Sequence, residues 1–227
     1  MQEPTDTKLL QDRKSRIESK LKKYGIPNSE IKFLPYLQFN PDDFQVPQEV
    51  AKRTLILYAL AHASNGQMAR YKAKRWLKKE DLWVNMTETE QEFLNTLFPN
   101  EEIRTNYSWS IEAALVLNWT INSNESLSQI IEEFSLANTS STLSSIPSIG
   151  SDTQDYISNA SYRPLNEIFE ENILNELVTS YFRDVYFSKE PDFTQINSGL
   201  SFERHKALNW VRQFNGIKAW EYVATDT

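Results

Sequence analysis

Cysteine is absent from this chain, and with it go disulfides, thiolate nucleophiles and every zinc or iron–sulfur site built on sulfur. Histidine is scarce: His62 sits inside an apolar helical pattern and His205 between Arg204 and Lys206, so neither has the His-Glu-x-x-His spacing of a helical metal site. The five glycines, at 25, 66, 150, 199 and 216, are too scattered to build a phosphate-cradling loop. Long hydrophobic runs are missing too. "LILYALA" (Leu55–Ala61) and "IEAALVL" (Ile111–Leu117) fall far short of the ~20 residues that span a bilayer. The opening "MQEPTDTKLLQDRKSRIESK" is charged throughout and has no apolar secretion core, which makes a cytoplasmic setting the expectation. No metal, cofactor, catalytic residue or membrane association is read from the sequence.

What remains is a chain able to fold. With 227 residues, 40% of them hydrophobic and 12% aromatic, it can bury a substantial core. Its net charge of −7 is unevenly spread. Residues 1–80 hold 16 Lys/Arg against 9 Asp/Glu, a balance of +7, and residues 81–227 hold 8 against 22, a balance of −14. Either the basic N-terminal helices pack over the acidic remainder, or a basic face meets nucleic acid or an acidic partner. The acidic whole favours the first.

Apolar residues recur at helical rather than alternating spacing, which predicts an all-α fold of about seven or eight helices in a single domain spanning 1–227. Leu10, Ile17, Leu21 and Tyr24 form the first stripe, stopped by Gly25 and Pro27. The proline-broken "FLPYLQFNPDDFQVP" (Phe33–Pro47) reads as an ordered, aromatic-rich connection. Pro47 starts a helix that is apolar almost all round. The next, around Met68–Lys79, carries six Lys/Arg from Arg70 onward, the best basic patch in the chain. Thr87 and Glu90 fit a capping box for a helix running through Leu97 and Phe98 to Pro99. Ser108 and Ser126 are expected caps of the two helices that follow, the second reaching Ala137. Between Asn138 and Ser151, eight of fourteen residues are Ser or Thr, the composition of a solvated loop. Pro164 opens a long helix, and a last one from about Ser201 to Phe214 ends near Gly216.

Several charges stand on apolar faces. Arg204 shares a face with Leu200, Ala207, Leu208 and Val211; Glu112 opens a strongly apolar helix; Arg53 lies one helical step from Leu57 and Leu60. A buried charge needs a partner. The ending "NGIKAWEYVATDT" supplies acids, Glu221 and Asp226, and is apolar almost to its last residue. It is therefore expected to fold back, bury Trp220 and offer Asp226 or Glu221 to Arg204 or Arg53. Arg53, Glu112, Arg204, Glu221 and Asp226 thus form the candidate polar cluster, structural or binding, with Trp76, Trp109 and Trp220 as aromatic anchors.

In order along the chain, "EVAKRTLILYAL", "WLKKEDLW", "YSWSIEAALVLNW", "RPLNEI", "YFRDVYF", "ERHKALNW" and "WEYVATDT" resemble the bacterial domain-of-unknown-function family 4272. The resemblance covers nearly the whole chain and implies a mostly helical cytoplasmic domain with no established activity. It includes Arg163, Arg183 and Trp210 beside the residues above. It departs at Glu221, where the family usually has Asp, and at Tyr186, where it often has Trp. The favoured functional reading is a non-enzymatic interaction protein of immunity or accessory type, since aromatics and arginines are what binding hot spots use. Two alternatives stand beside it. One is an enzyme, or a binder of a small anionic ligand, that uses carboxylates and arginines, with Glu112 or Asp226 as base. The other is nucleic-acid binding through residues 70–79.

Overall fold

The computed structural model describes residues 7–27, 30–121, 126–127, 144–189, 191–192 and 194–225. In chain order the helices are α1 (Thr7–Lys23), α2 (Pro47–Ala63), α3 (Gln67–Lys79), α4 (Glu88–Asn95), α5 (Glu101–Ser108), α6 (Ser110–Ile121), α7 (Gln154–Ser158), α8 (Leu165–Ser188) and α9 (Ser198–Val211). The fold is all-α, and no strand occurs among the described residues. The helix expected to end at Ala137 and the first part of the Ser/Thr-rich stretch lie outside the described residues. By their contacts the helices group into two compact units: the described residues up to Gln45 and from Pro164 onward form one, and those between Val46 and Arg163 the other.

The Val46–Arg163 unit is organised on α2 and α6, both apolar on nearly every face. Ala51, Ala59 and Ala63 on α2 and Ala113 and Ala114 on α6 are fully buried, and such small side chains let helix axes approach closely. Pro47 stands at the first helical position of α2, where its missing N–H is no loss. Thr87 and Glu90 form the expected capping box on α4. That helix stops at Asn95, earlier than the sequence predicts. The Thr96 hydroxyl bonds back to the Glu92 carbonyl at 2.8 Å, and Pro99 disfavours helical backbone just before it. Leu97 and Phe98 are therefore left exposed. Ser108 closes α5 instead of capping α6, donating to the Thr105 carbonyl at 2.6 Å. The end of the Ser/Thr-rich stretch is pinned to the helices, with Ser144, Ser148 and Gly150 exposed. Ile146 is buried there, Trp76 Nε1 donates to the Ser151 carbonyl at 2.7 Å, and Asn118 Nδ2 donates to the Ser145 hydroxyl at 2.8 Å.

In the other unit, Leu10, Ile17 and Leu21 of α1 share a core with Phe169, Ile173 and Val178 of α8. The cations of α1 turn toward the acids of α8. Arg16 grips Glu170 with two bonds of 2.9 and 2.6 Å, and Lys20 reaches Glu171 at 3.4 Å. Basic N-terminal residues here answer acidic C-terminal ones within one helix pair. Arg13, fully buried, donates to the Leu37 carbonyl. Its guanidinium lies 5.1 and 5.2 Å from the rings of Phe39 and Phe169.

The ending of the chain does fold back, fastened by donors to its carbonyls. Trp210 Nε1 bonds the Lys218 carbonyl at 2.9 Å, Asn209 Nδ2 bonds Ala224 at 3.0 Å, and Arg183 Nη2 bonds Thr225 at 2.9 Å. Trp220 is 9% exposed and meets Trp210 edge-on, centroids 5.7 Å apart. Large-to-small replacement of a buried Trp costs about 3 kcal/mol or more. Trp220→Ala is accordingly expected to lose about that much stability in urea denaturation followed by circular dichroism. An unchanged midpoint would mean that the tail contributes nothing to the fold.

Candidate functional site

The residues proposed as one polar cluster fall in two different units, and each has its own setting. Arg53 pairs with Glu90, and both side chains are nearly fully buried. Glu90 is also the capping-box acid of α4, its Oε2 accepting from the Thr87 N–H at 2.9 Å. Arg53 thus has a carboxylate partner in a helix cap, one that the sequence reading did not name. Glu112 is 2% exposed, on the apolar helix α6. Arg204 is buried at 1% exposure, and Asp226 lies outside the described residues. Glu221 is exposed, because the tight turn Trp220–Tyr222 that sends Trp220 inward turns its neighbours out. Of the aromatic anchors, Trp76 is buried and Trp109 is 37% exposed. In α3, Arg70 is not on the surface: it is buried and donates to the carbonyls of Ala63 and Leu97. Lys79 is paired with Glu80, and Lys78 lies over Trp83 at 4.7 Å. The cationic face is thinner than its residue count suggests.

The polar feature that does stand out joins α8 and α9. Asn172, Asn175, Ser201, His205 and Asn209 are all at most 1% exposed. Through Asn172, Asn209 and His205 the hydrogen bonds have one direction, set at one end by Arg212, which can only donate, while Ser201 donates separately to Asn175 Oδ1 at 3.0 Å. Arg212 Nη1 donates to Asn172 Oδ1. That leaves Asn172 Nδ2 to donate to Asn209 Oδ1, at 2.9 Å, so Asn209 Nδ2 faces both the Ala224 carbonyl and His205 Nε2, each at 3.0 Å. His205 Nε2 must therefore accept, which fixes a neutral tautomer with its proton on Nδ1. Burial, with the positive fields of Arg212 and Arg183 behind it, lowers the His205 pKa to about 4. Behind Arg212 lies Glu176, 7% exposed, hydrogen-bonded to Tyr36 and held above the usual carboxylate range chiefly by burial. The Tyr36 hydroxyl is raised by burial and by the charge of Glu176.

Arg212 also opens outward. It lines a cavity of about 500 Å³ whose one wall is the connection Gln38–Phe44 and whose other is the turn Arg212–Gly216. Gln45 stitches the walls together. Its N–H donates to the Val211 carbonyl at 2.8 Å, and its side-chain amide donates to that of Lys218 at 3.1 Å. The guanidinium lies 4.4 Å from the Phe169 ring centroid and 5.7 Å from that of Phe214. Phe39, 4.9 Å from Phe169, and Phe44, edge-on to Phe39 at 5.7 Å, complete the aromatic surround. Gln213 and Asn215 hold left-handed backbone (φ 46° and 57°), which turns the chain sharply enough to close the wall. A second, apolar groove of about 840 Å³ runs along Phe182, Tyr186, Phe187 and Phe202.

The sequence profile described as "Domain of unknown function (DUF4272)" matches residues 13–223, nearly the full length. The chain belongs to the DUF4272 family. No curated protein and no solved structure matches it. The DUF4272 match spans both walls of the cavity and both helices of the amide chain. It also contains Arg163, which donates to the Trp119 carbonyl at 3.1 Å and lies over that ring at 4.0 Å. Among the described residues, no group of three His, Asp or Glu is placed to hold a metal ion. Sequence reasoning passed over Asn172, Asn209 and Arg212, although a signal existed. On α8, Ile168, Asn172, Asn175 and Thr179 follow the spacing of an inward stripe, and on α9 and just beyond it His205, Asn209 and Arg212 do the same. Polar residues at matched core positions on two helices are a network in waiting.

His205 makes the network sensitive to acid. Its folded pKa lies below the free-imidazole value near 6.5, so as pH falls the unfolded chain takes up the proton first. Its stabilising contribution is complete above about pH 6.5 and drains away toward pH 4, by roughly 3 kcal/mol in all. Glu176, whose pKa is raised, acts with opposite sign, its neutralisation on acidification favouring the folded state. Comparison with His205→Gln separates the two: the stability gap between wild type and variant in urea should narrow by roughly 2 kcal/mol between pH 7 and pH 4.5. A gap independent of pH would show that His205 is not buried neutral.

Proposed function

We propose that this DUF4272 protein is a binding protein that seats a small carboxylate-bearing ligand in the cavity between the Gln38–Phe44 connection and the turn after α9. One observation carries the reading: Arg212, anchored on Asn172 and stacked on Phe169, lines an open cavity of drug-sized volume among phenyl rings. A guanidinium held in place by the fold has already given up its rotational freedom, so a carboxylate meets a preorganised fork. The rings supply the apolar contact that a single ion pair lacks. Thermal-shift and calorimetric titration with benzoate and 3-phenylpropionate test this. Saturable stabilisation of the wild type is expected, with affinity at least tenfold weaker in Arg212→Gln. Phe44→Ala, outside the buried chain, should weaken binding while leaving the fold intact by circular dichroism. Absence of binding in the wild type, or equal binding by Arg212→Gln, would overturn the proposal.

A second reading rests on the apolar groove, where Tyr186 and Phe187 are 78% and 73% exposed. Exposed rings at a concave surface suit a protein partner. The absence of cysteine and of any helix among the described residues able to cross a membrane fits a cytoplasmic setting for such a partner. Phe187→Asp should abolish co-purification of a discrete partner without changing the circular dichroism spectrum. The same partner set on wild type and variant would remove this reading.

A further inference from the structure

The charges on the cavity wall are of both signs. Arg212 is its cation, and Asp43 on the facing connection is its anion. Asp43 is exposed and Arg212 is partly buried, so the negative charge stands toward solvent and the positive charge toward the interior. The Asp43 carboxylate is steadied by Asn40, whose Nδ2 donates to it at 3.1 Å and whose Oδ1 accepts from the Asp42 N–H at 3.2 Å. Its field reaches the guanidinium, yet the two are not joined as an ion pair. Opposite charges held apart across open space form a dipolar seat, and a dipolar ligand completes both ends of it at once. The uncharged remainder is of two kinds: phenyl rings from Phe39, Phe44 and Phe214, and amides from Gln38, Asn40, Gln213 and Asn215.

Resting on the Arg212 reading above, we infer that the ligand is a zwitterion with an aromatic body, a free aromatic amino acid or a compound carrying the same carboxylate, ammonium and ring. The carboxylate meets Arg212 on the inner side, the ammonium meets Asp43 at the mouth, and the ring lies among the phenylalanines. The wall carries no net charge once Asp43 is counted against Arg212, which disfavours a phosphate: a second negative charge would find Asp43 instead of a second cation. The side-chain amides satisfy the remaining ligand donors and acceptors without adding charge.

The experiment compares four probes by isothermal titration calorimetry on the full chain: L-phenylalanine, 3-phenylpropionate, phenethylamine and phenyl phosphate. L-Phenylalanine is expected to bind at least tenfold more tightly than each of the other three. Asp43→Asn, an exposed and nearly isosteric change, should bring L-phenylalanine to within about threefold of 3-phenylpropionate, because the ammonium then loses its charged partner. If 3-phenylpropionate binds the wild type as well as L-phenylalanine, or phenyl phosphate binds best, the zwitterion inference falls while the Arg212 seat stands. If Asp43→Asn keeps the full preference for L-phenylalanine, the ammonium is read elsewhere and the inference falls as stated. If none of the four binds, seat and inference fall together.

Discussion

The hydrogen bond from Asn172 to Asn209 is the interaction on which most of the α8–α9 unit turns. Two side-chain amides buried at a helix contact are costly unless every donor and acceptor is matched, and matching them couples features far apart in sequence. Asn172 can turn its oxygen only toward Arg212; Asn209 is then obliged to turn its nitrogen toward the tail and His205. The orientation of each amide follows from an arginine that has no acceptor to offer. Removing either asparagine would therefore do more than delete one bond. It would release the Ala224 carbonyl, free the tautomer of His205 and unseat the guanidinium that faces the cavity.

This arrangement also accounts for what could and could not be read from the residues alone. Elements marked by local chemistry were legible: Pro47 at the start of α2, the Thr87–Glu90 box on α4, and the inward stripe of α1. Each is decided within one or two helical turns. The partner of Arg53 was not legible, because Glu90 lies 37 residues away and already has a local role as a cap. Nothing in the spacing of Glu90 signals a second duty. The cavity was hidden for a related reason. Its walls are a proline-broken connection and a post-helical turn, both without hydrophobic period, and they are joined where Gln45 bonds Val211 and Lys218.

The uneven charge along the chain has a plain structural use in part. Arg13 and Arg16 of α1 lie on Glu170, and Lys20 on Glu171, so part of the basic N-terminal excess is spent inside the fold. Exposed pairs of this kind contribute little, roughly 0 to 1 kcal/mol each. Arg13 is different, since its guanidinium is fully buried between Phe39 and Phe169. It lies against the ring of Phe39, itself a residue of the cavity wall.

Two arginines thus brace one small region. Arg13 comes from α1 and holds Phe39; Arg212 comes from the end of α9 and stacks on Phe169, the ring that Phe39 also touches. Phe169 is therefore sandwiched by cationic and aromatic neighbours contributed by α1, the connection and α9. A ring so enclosed cannot shift without moving both guanidinium groups, and each of those is tied to a fixed acceptor, Leu37 for Arg13 and Asn172 for Arg212. Rigidity of this kind is costly to build when only an interior needs filling, because apolar side chains of the same volume would pack there without buried charge. It is well matched to a wall that presents one guanidinium and three phenyl rings in constant geometry.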